Sequence, residues 1–154
     1  MYSRSERFSF AISSIYGLIR KLEREEMERY GLRGAYAQYL VAMRRRTEGV
    51  TAAELCEMCD KDKAAVSRIV SEMEAKGLVT RAGRAENPYR AKICLTEAGE
   101  AAAAFVSERA TVAVELAGSG LSDEDREIFY AALDRIVGNL QKIGREGIPQ
   151  ESKN

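Results

Sequence analysis

With 154 residues, 24 basic side chains balanced by 24 acidic ones and no histidine, the chain has the size of one domain and offers neither a histidine base nor a histidine-ligated metal. It has no run of about 18 apolar residues to span a bilayer, and its first ten residues, MYSRSERFSF, lack the apolar region of a signal peptide. Three cysteines, an odd number, do not make a secreted disulfide framework, so the expected location is the cytoplasm.

The first apolar pattern is Phe8, Ile12, Ile15, Ile19 and Leu22, in alternating steps of four and three. It predicts a long helix from about residue 5 to 29 with one apolar seam, ending before Gly31. Residues 34–46 read as a second helix with Ala35, Tyr39, Leu40 and Met43 on its buried side. "TAAE" at 51–54 is a capping box that starts a helix of about eight residues. A charged turn follows, and Asp62 is placed to cap the next helix, which stops before Gly77. "LVTRAG" and "AKICLT" read as two strands joined by "RAENPY", a hairpin with a projecting tip. Residues 97–117 are alanine-rich and helical in pattern, closing near "GSG" at 118–120. Ser122 with Asp125 then gives a box-like start to a last helix, whose seam is Phe129, Leu133, Ile136, Leu140 and Ile143. Seams at both ends of a short chain predict a homodimer built from the termini, over packing within one chain.

The fold class expected is therefore mainly α with a small β-hairpin. Helix, turn, longer helix and hairpin is the order of a winged helix-turn-helix. On the second helix of that motif, Val66, Ile69, Val70 and Met73 share one arc and face the core. The opposite arc holds Ala64, Arg68, Ser71 and Ala75, with Lys63 and Ser67 at its margin and Ala65 in the first turn. Such small side chains let the helix come close to another surface. In a DNA major groove, Arg68 can serve a guanine, Ser67 a base edge or phosphate, and alanine a thymine methyl. The plainer reading is that Ala and Ser tolerate exposure, or touch another protein. Charge favours DNA: residues 61–92 carry eight cations against four carboxylates within a neutral chain. Arg81, Arg84, Arg90 and Lys92 lie on the hairpin, with Tyr89 beside Arg90.

"TAAELCEMCDKDKAAVSRIVSEMEAKGLVTR", then a wing, then "LTEAG", resembles the MarR family of bacterial transcriptional regulators over residues 51–99. The resemblance implies a homodimeric winged helix protein bound to a pseudo-palindromic double-stranded DNA operator, usually a repressor released by a small ligand or an oxidant. It puts Lys63, Ala64, Ala65, Ser67 and Arg68 at the start of the recognition helix; Ser71, from the exposed arc of that helix, is a further candidate contact. It puts Arg90 at the wing arginine; Arg84 and Tyr89, read from the hairpin itself, join it as candidate DNA contacts. The family's usual wing Asp is missing here, since the matching run is Pro88-Tyr89-Arg90. The expected organisation is a dimerisation helix at 1–30, a DNA-binding lobe at 31–99, dimerisation helices at 100–146 and a tail at 147–154.

The resemblance also implies an effector crevice between the dimer helices and the lobe. Tyr16, Tyr36, Tyr39 and Met43 come from bordering segments, as do Tyr30 and Arg44–Arg46, and would suit a small aromatic or anionic effector. Core tyrosines and a solvated basic helix end are the plainer account. Cys56 and Cys59 form a C-x-x-C, but both fall on apolar helix positions, and Cys94 lies in a strand. Core packing is the first reading, a thiol-based redox sensor the alternative, and no fourth metal ligand is evident. The reactive cysteine of the family's peroxide-sensing branch has no counterpart in residues 1–29. "SDEDRE" at 122–127 lacks the spacing of a Ca²⁺ loop and suits a helix N-terminus. With no phosphate loop, nucleophile elbow or paired catalytic carboxylates, neither an enzyme nor a cofactor is expected. A winged helix module that binds protein is the rival reading.

Overall fold

Ser3 starts helix α1 (Arg4–Arg29): its hydroxyl accepts from the Glu6 amide and its own amide donates to the Glu6 carboxylate at 2.7 Å. The structure, a computed structural model, describes residues 2–82 and 91–149. Gly31, at φ +90°, ends α1 by turning the chain so that the Leu32 amide reaches back to the Met27 carbonyl. The segment expected as one helix over 34–46 divides into a 3-10 turn (Gly34–Tyr36) and a shorter helix α2 (Ala37–Arg44). Close packing on α1 accounts for the difference. A Cβ on Gly34 would sit 2.7 Å from Glu28 Oε1 and 3.1 Å from the Arg24 carbonyl, and the tight turn drives Tyr36 and Ala37 into the core. Ala35, expected on the buried side, is half-buried instead.

Helix α3 (Ala52–Cys59) opens with the expected capping box, the Thr51 amide donating to Glu54 Oε2 at 2.7 Å. It stops at Asp60, whose φ of +50° is the one left-handed non-glycine conformation among the described residues. There the Lys61 amide bonds the Cys56 carbonyl, and the chain enters helix α4 (Lys63–Ala75). Asp62 Oδ1 accepts from the Ala65 amide at 2.8 Å. Replacing Asp62 by Ala is expected to lower stability by about 1 kcal/mol, the usual worth of such a cap, as measured by urea unfolding.

Strands β1 (Val79–Ala82) and β2 (Lys92–Leu95) pair antiparallel, from Val79 opposite Leu95 to Ala82 opposite Lys92. Val50 adds a bridge to Ile93, with hydrogen bonds of 2.9 and 2.7 Å. Helix α5 (Glu97–Ala117) follows at once and helix α6 (Asp123–Glu146) comes last. At α6 the expected box is incomplete. The Ser122 hydroxyl accepts from the Asp125 amide but also donates to the Asp125 carboxylate at 2.8 Å, because Asp is one methylene shorter than Glu.

The chain forms two compact units, Met1–Ala113 and Val114–Asn154. The first holds the core, in which Met27, Tyr36, Tyr39, Leu40, Leu55, Val66, Val70, Met73, Ile93 and Val106 are almost wholly removed from water. Arg109 of α5 pairs with Glu26 of α1 at 2.9 Å, and Phe105 packs on Tyr30 with ring centres 5.0 Å apart. Apolar burial on this scale, about 1.5–3 kcal/mol per large side chain, is what holds the lobe together. The seams behave differently. Phe8, Ile12, Ile15 and Leu22 on α1 are exposed, and on α6 so are Phe129, Leu140 and Ile143. No described residue of α6 is buried.

Candidate nucleic-acid interface

The two sides of α4 differ as its sequence periodicity requires. Val66, Ile69, Val70 and Met73 are buried at 5% exposure or less. Lys63, Ala64, Ser67, Arg68, Ser71 and Ala75 are exposed, and Ala65 is half-buried at the edge of that face. Asp62 caps the first turn of α4, the end of the helix at which the dipole favours an anion. The guanidinium of Arg68 enters no ion pair or side-chain hydrogen bond among the described residues. It stands one helical turn before Glu72, which it affects only through its charge.

Glu72 itself is engaged elsewhere. Its Oε2 takes Arg33 Nη1 at 2.5 Å and the Tyr36 hydroxyl at 3.3 Å. The Arg33 hydrogen bond holds the Glu72 carboxyl below its ordinary range. Burial pushes the Tyr36 phenol up, so it remains a donor. No pattern in the sequence signals this cluster, whose members lie 36 and 39 positions from Glu72.

At the root of the hairpin, Arg81 pairs with Glu74 of α4 at 3.2 Å and Lys92 with Glu54 of α3 at 3.6 Å. Arg84, Tyr89 and Arg90, expected on the wing, lie outside the described residues. Lys92 also rims a recess of about 230 Å³ with Arg45, Arg46, Thr47, Glu48, Gly49 and Glu54. A second recess, of about 430 Å³, is lined by Lys21, Arg24, Glu25, Glu28, Arg33, Gly34 and Ala35. Both are open to solvent, and the first is mainly polar. Among the described residues no group of three or more His, Cys, Asp or Glu is placed to hold a metal ion. No helix described is long and apolar enough to cross a membrane.

A family model described as the MarR family matches residues 30–87, which run from the turn after α1 into the hairpin. An uncharacterised HTH-type transcriptional regulator of Bacillus subtilis (strain 168), YybA, is 26% identical over 106 residues, covering 68% of this chain and 71% of that protein. Over residues 30–87 the chain is thus similar to the MarR family. Solved relatives share its fold. A MarR transcriptional regulator from Methanosarcina mazei Go1 superposes with a TM-score of 0.76 at 22% identity, over 90% of this chain and 99% of the other. A MarR-family protein from Listeria monocytogenes, solved with a 26mer DNA, gives 0.71 at 18% identity over 99% of this chain and 100% of its own.

The residues expected to border an effector crevice separate by burial. Tyr36, Tyr39 and Met43 are core side chains with at most 3% exposure, whereas Tyr16 is largely exposed on α1. None of the four lines either recess. The cysteines separate too. Cys59 is buried, its thiol 3.8 Å from the Gln38 carbonyl, while Cys56 and Cys94 are half-buried. Burial pushes the Cys59 thiol up to about 11, which leaves it protonated and a poor nucleophile at neutral pH. An acid whose folded value lies above its ordinary one favours the folded state only while the thiol is protonated. That contribution is complete below the ordinary value of 9.0 and is lost as pH climbs towards 11. A thiol reagent at pH 7 is expected to label Cys59 last, its rate rising only when denaturant opens the lobe. Rapid labelling of Cys59 in the folded protein would contradict this burial.

Proposed function

We propose that the chain is a homodimeric, sequence-specific DNA-binding transcriptional regulator of the cytoplasm, and not an enzyme. Each α4 enters a major groove of a pseudo-palindromic operator, with half-sites about one helical turn apart. One observation carries the reading: the face of α4 bearing Ala64, Ser67, Arg68 and Ser71 is open to solvent, while its opposite face is sealed in the core. On this reading Arg68 reads a base edge, Ser67, Ser71 and the alanines fit the groove, and Lys63 serves phosphate. Arg84, Tyr89 and Arg90 extend the contact from the wing towards the neighbouring minor groove. The dimer is supported by the exposed seams of α1 and α6, since a large apolar face left in water marks an association surface. Release by a small anionic or aromatic effector completes the proposal.

The test is a gel shift of the pure protein on duplexes selected from a random library, repeated as salt is raised, with its mass in solution measured alongside. Steep weakening with salt is expected, because each phosphate contact releases a counterion. A monomer at micromolar concentration would remove the dimer. Failure to enrich any sequence would favour a protein partner for the same face.

A further inference from the structure

We propose that Arg33 and Tyr36 are positioning residues for DNA recognition, holding the Glu72 carboxylate away from Arg68 so that the Arg68 guanidinium stays available to a base. This rests on the reading of Arg68 as a base contact. Arg68 and Glu72 lie four residues apart on α4, a spacing at which opposite charges pair across one turn. Left to itself, Glu72 is the natural partner of Arg68. In the structure it is not. One carboxylate oxygen is claimed twice, by Arg33 at 2.5 Å and by the Tyr36 hydroxyl at 3.3 Å, and Arg68 is left without an ion pair among the described residues. Tyr36 is almost wholly buried, so its hydroxyl is a fixed point. Arg33 immediately precedes the 3-10 turn that packs on α1. The carboxylate is thus anchored to the frame of the lobe, and the exposed face of α4 is kept free of an internal competitor.

A merely structural clamp and a sequestering clamp predict different behaviour. If the clamp only braces α4, breaking it from either end is equivalent. If it withholds Glu72, losing Arg33 frees the carboxylate to capture Arg68, whereas losing the carboxylate leaves Arg68 available. The quantity to measure is the ratio of affinities for a duplex enriched from a random library by the wild-type protein and for a duplex of randomised sequence. General charge effects on phosphate binding cancel in that ratio.

Arg33→Met is expected to lower the ratio about two- to threefold, the scale of an exposed pair one turn apart. Arg33→Lys should lower it less, and Tyr36→Phe should act in the same direction as Arg33→Met with the core intact. Glu72→Gln alone should leave the ratio unchanged, and Arg33→Met with Glu72→Gln should return it to the wild-type value. Melting temperatures taken alongside establish that each variant is folded. The proposal is overturned if Glu72→Gln lowers the ratio as far as Arg33→Met, or if the double variant does not recover. Arg68→Ala in the same assay separates the two levels. Should it lower the ratio while Arg33→Met does not, only the clamp fails; should it leave the ratio unchanged, the base contact fails and the clamp with it.

Discussion

Gly99→Ala is expected to destabilise the lobe by about 3 kcal/mol or more, at the upper end of what overpacking a filled site costs. The reason is a close approach, since a Cβ at this position would lie 2.0 Å from the Leu78 carbonyl oxygen. Nothing there can yield easily, because that carbonyl accepts from the Thr96 amide at 3.0 Å. The Thr96 hydroxyl in turn donates to the Gly77 carbonyl at 2.6 Å and accepts from the Gly99 amide at 3.1 Å, which caps α5. Moving Gly99 outward breaks this cap and pulls the end of α4, the start of β1 and the start of α5 apart. In a chain of this length such a loss lowers the melting temperature by roughly 6–12 °C. Gly17→Ala is the control. It lies in the middle of α1 with nothing within 4 Å of its Cβ position, so the same change should stabilise that helix by roughly 0.5–1 kcal/mol. Equal melting temperatures for the two variants would show that the Leu78 contact carries no strain.

That knot explains why the "KGLV" and "LTEAG" segments stood out in the sequence. Their meaning lies in hydrogen bonds between residues whose types alone constrain the geometry: a left-handed glycine at 77, a hydroxyl at 96 and a position without a side chain at 99. The face of α4 was legible for a similar reason, because helical periodicity and one Asp cap decide which side chains turn inward. The Ser3–Glu6 box had the same kind of signal, although the seam alone placed the start of α1 one residue late. Legibility ends where distance along the chain begins to matter. The break after Tyr36 comes from α1 pressing on Gly34, and the Arg33–Glu72 pair joins segments with no shared motif. The tyrosines assigned to a crevice followed residue type and neighbourhood. Their depth in the core depends on how α2 docks, which no local pattern encodes.

The second large effect is expected at Arg68. Replacement by Ala should reduce discrimination at one operator base pair by about 1–3 kcal/mol, with a smaller loss on random DNA, since a bidentate contact to guanine carries sequence information. Exposure of the side chain makes this a clean test. Arg68 is exposed and supports no other described side chain by a hydrogen bond, so the fold should be little affected. The measurement is binding to a panel of single base-pair variants of the selected duplex, at two salt concentrations. If Arg68 instead anchors a phosphate, affinity will fall equally across the panel and the salt slope will shrink by about one contact. That outcome would leave Ser67, Ser71 and the wing to supply the sequence preference.

The uncovered flank of α6 makes the persistence of this protein a question of abundance. On its own chain the helix is a 24-residue rod with no buried side chain, and a rod of that kind frays. In the proposed dimer its shelter comes entirely from the other copy, so protection tracks the fraction assembled. If that dimer forms, a thinning pool would leave solitary chains whose α6 lies within reach of proteases. Turnover would then quicken as the level drops, and the protein would disappear more abruptly than one whose every helix is sheltered within one polypeptide.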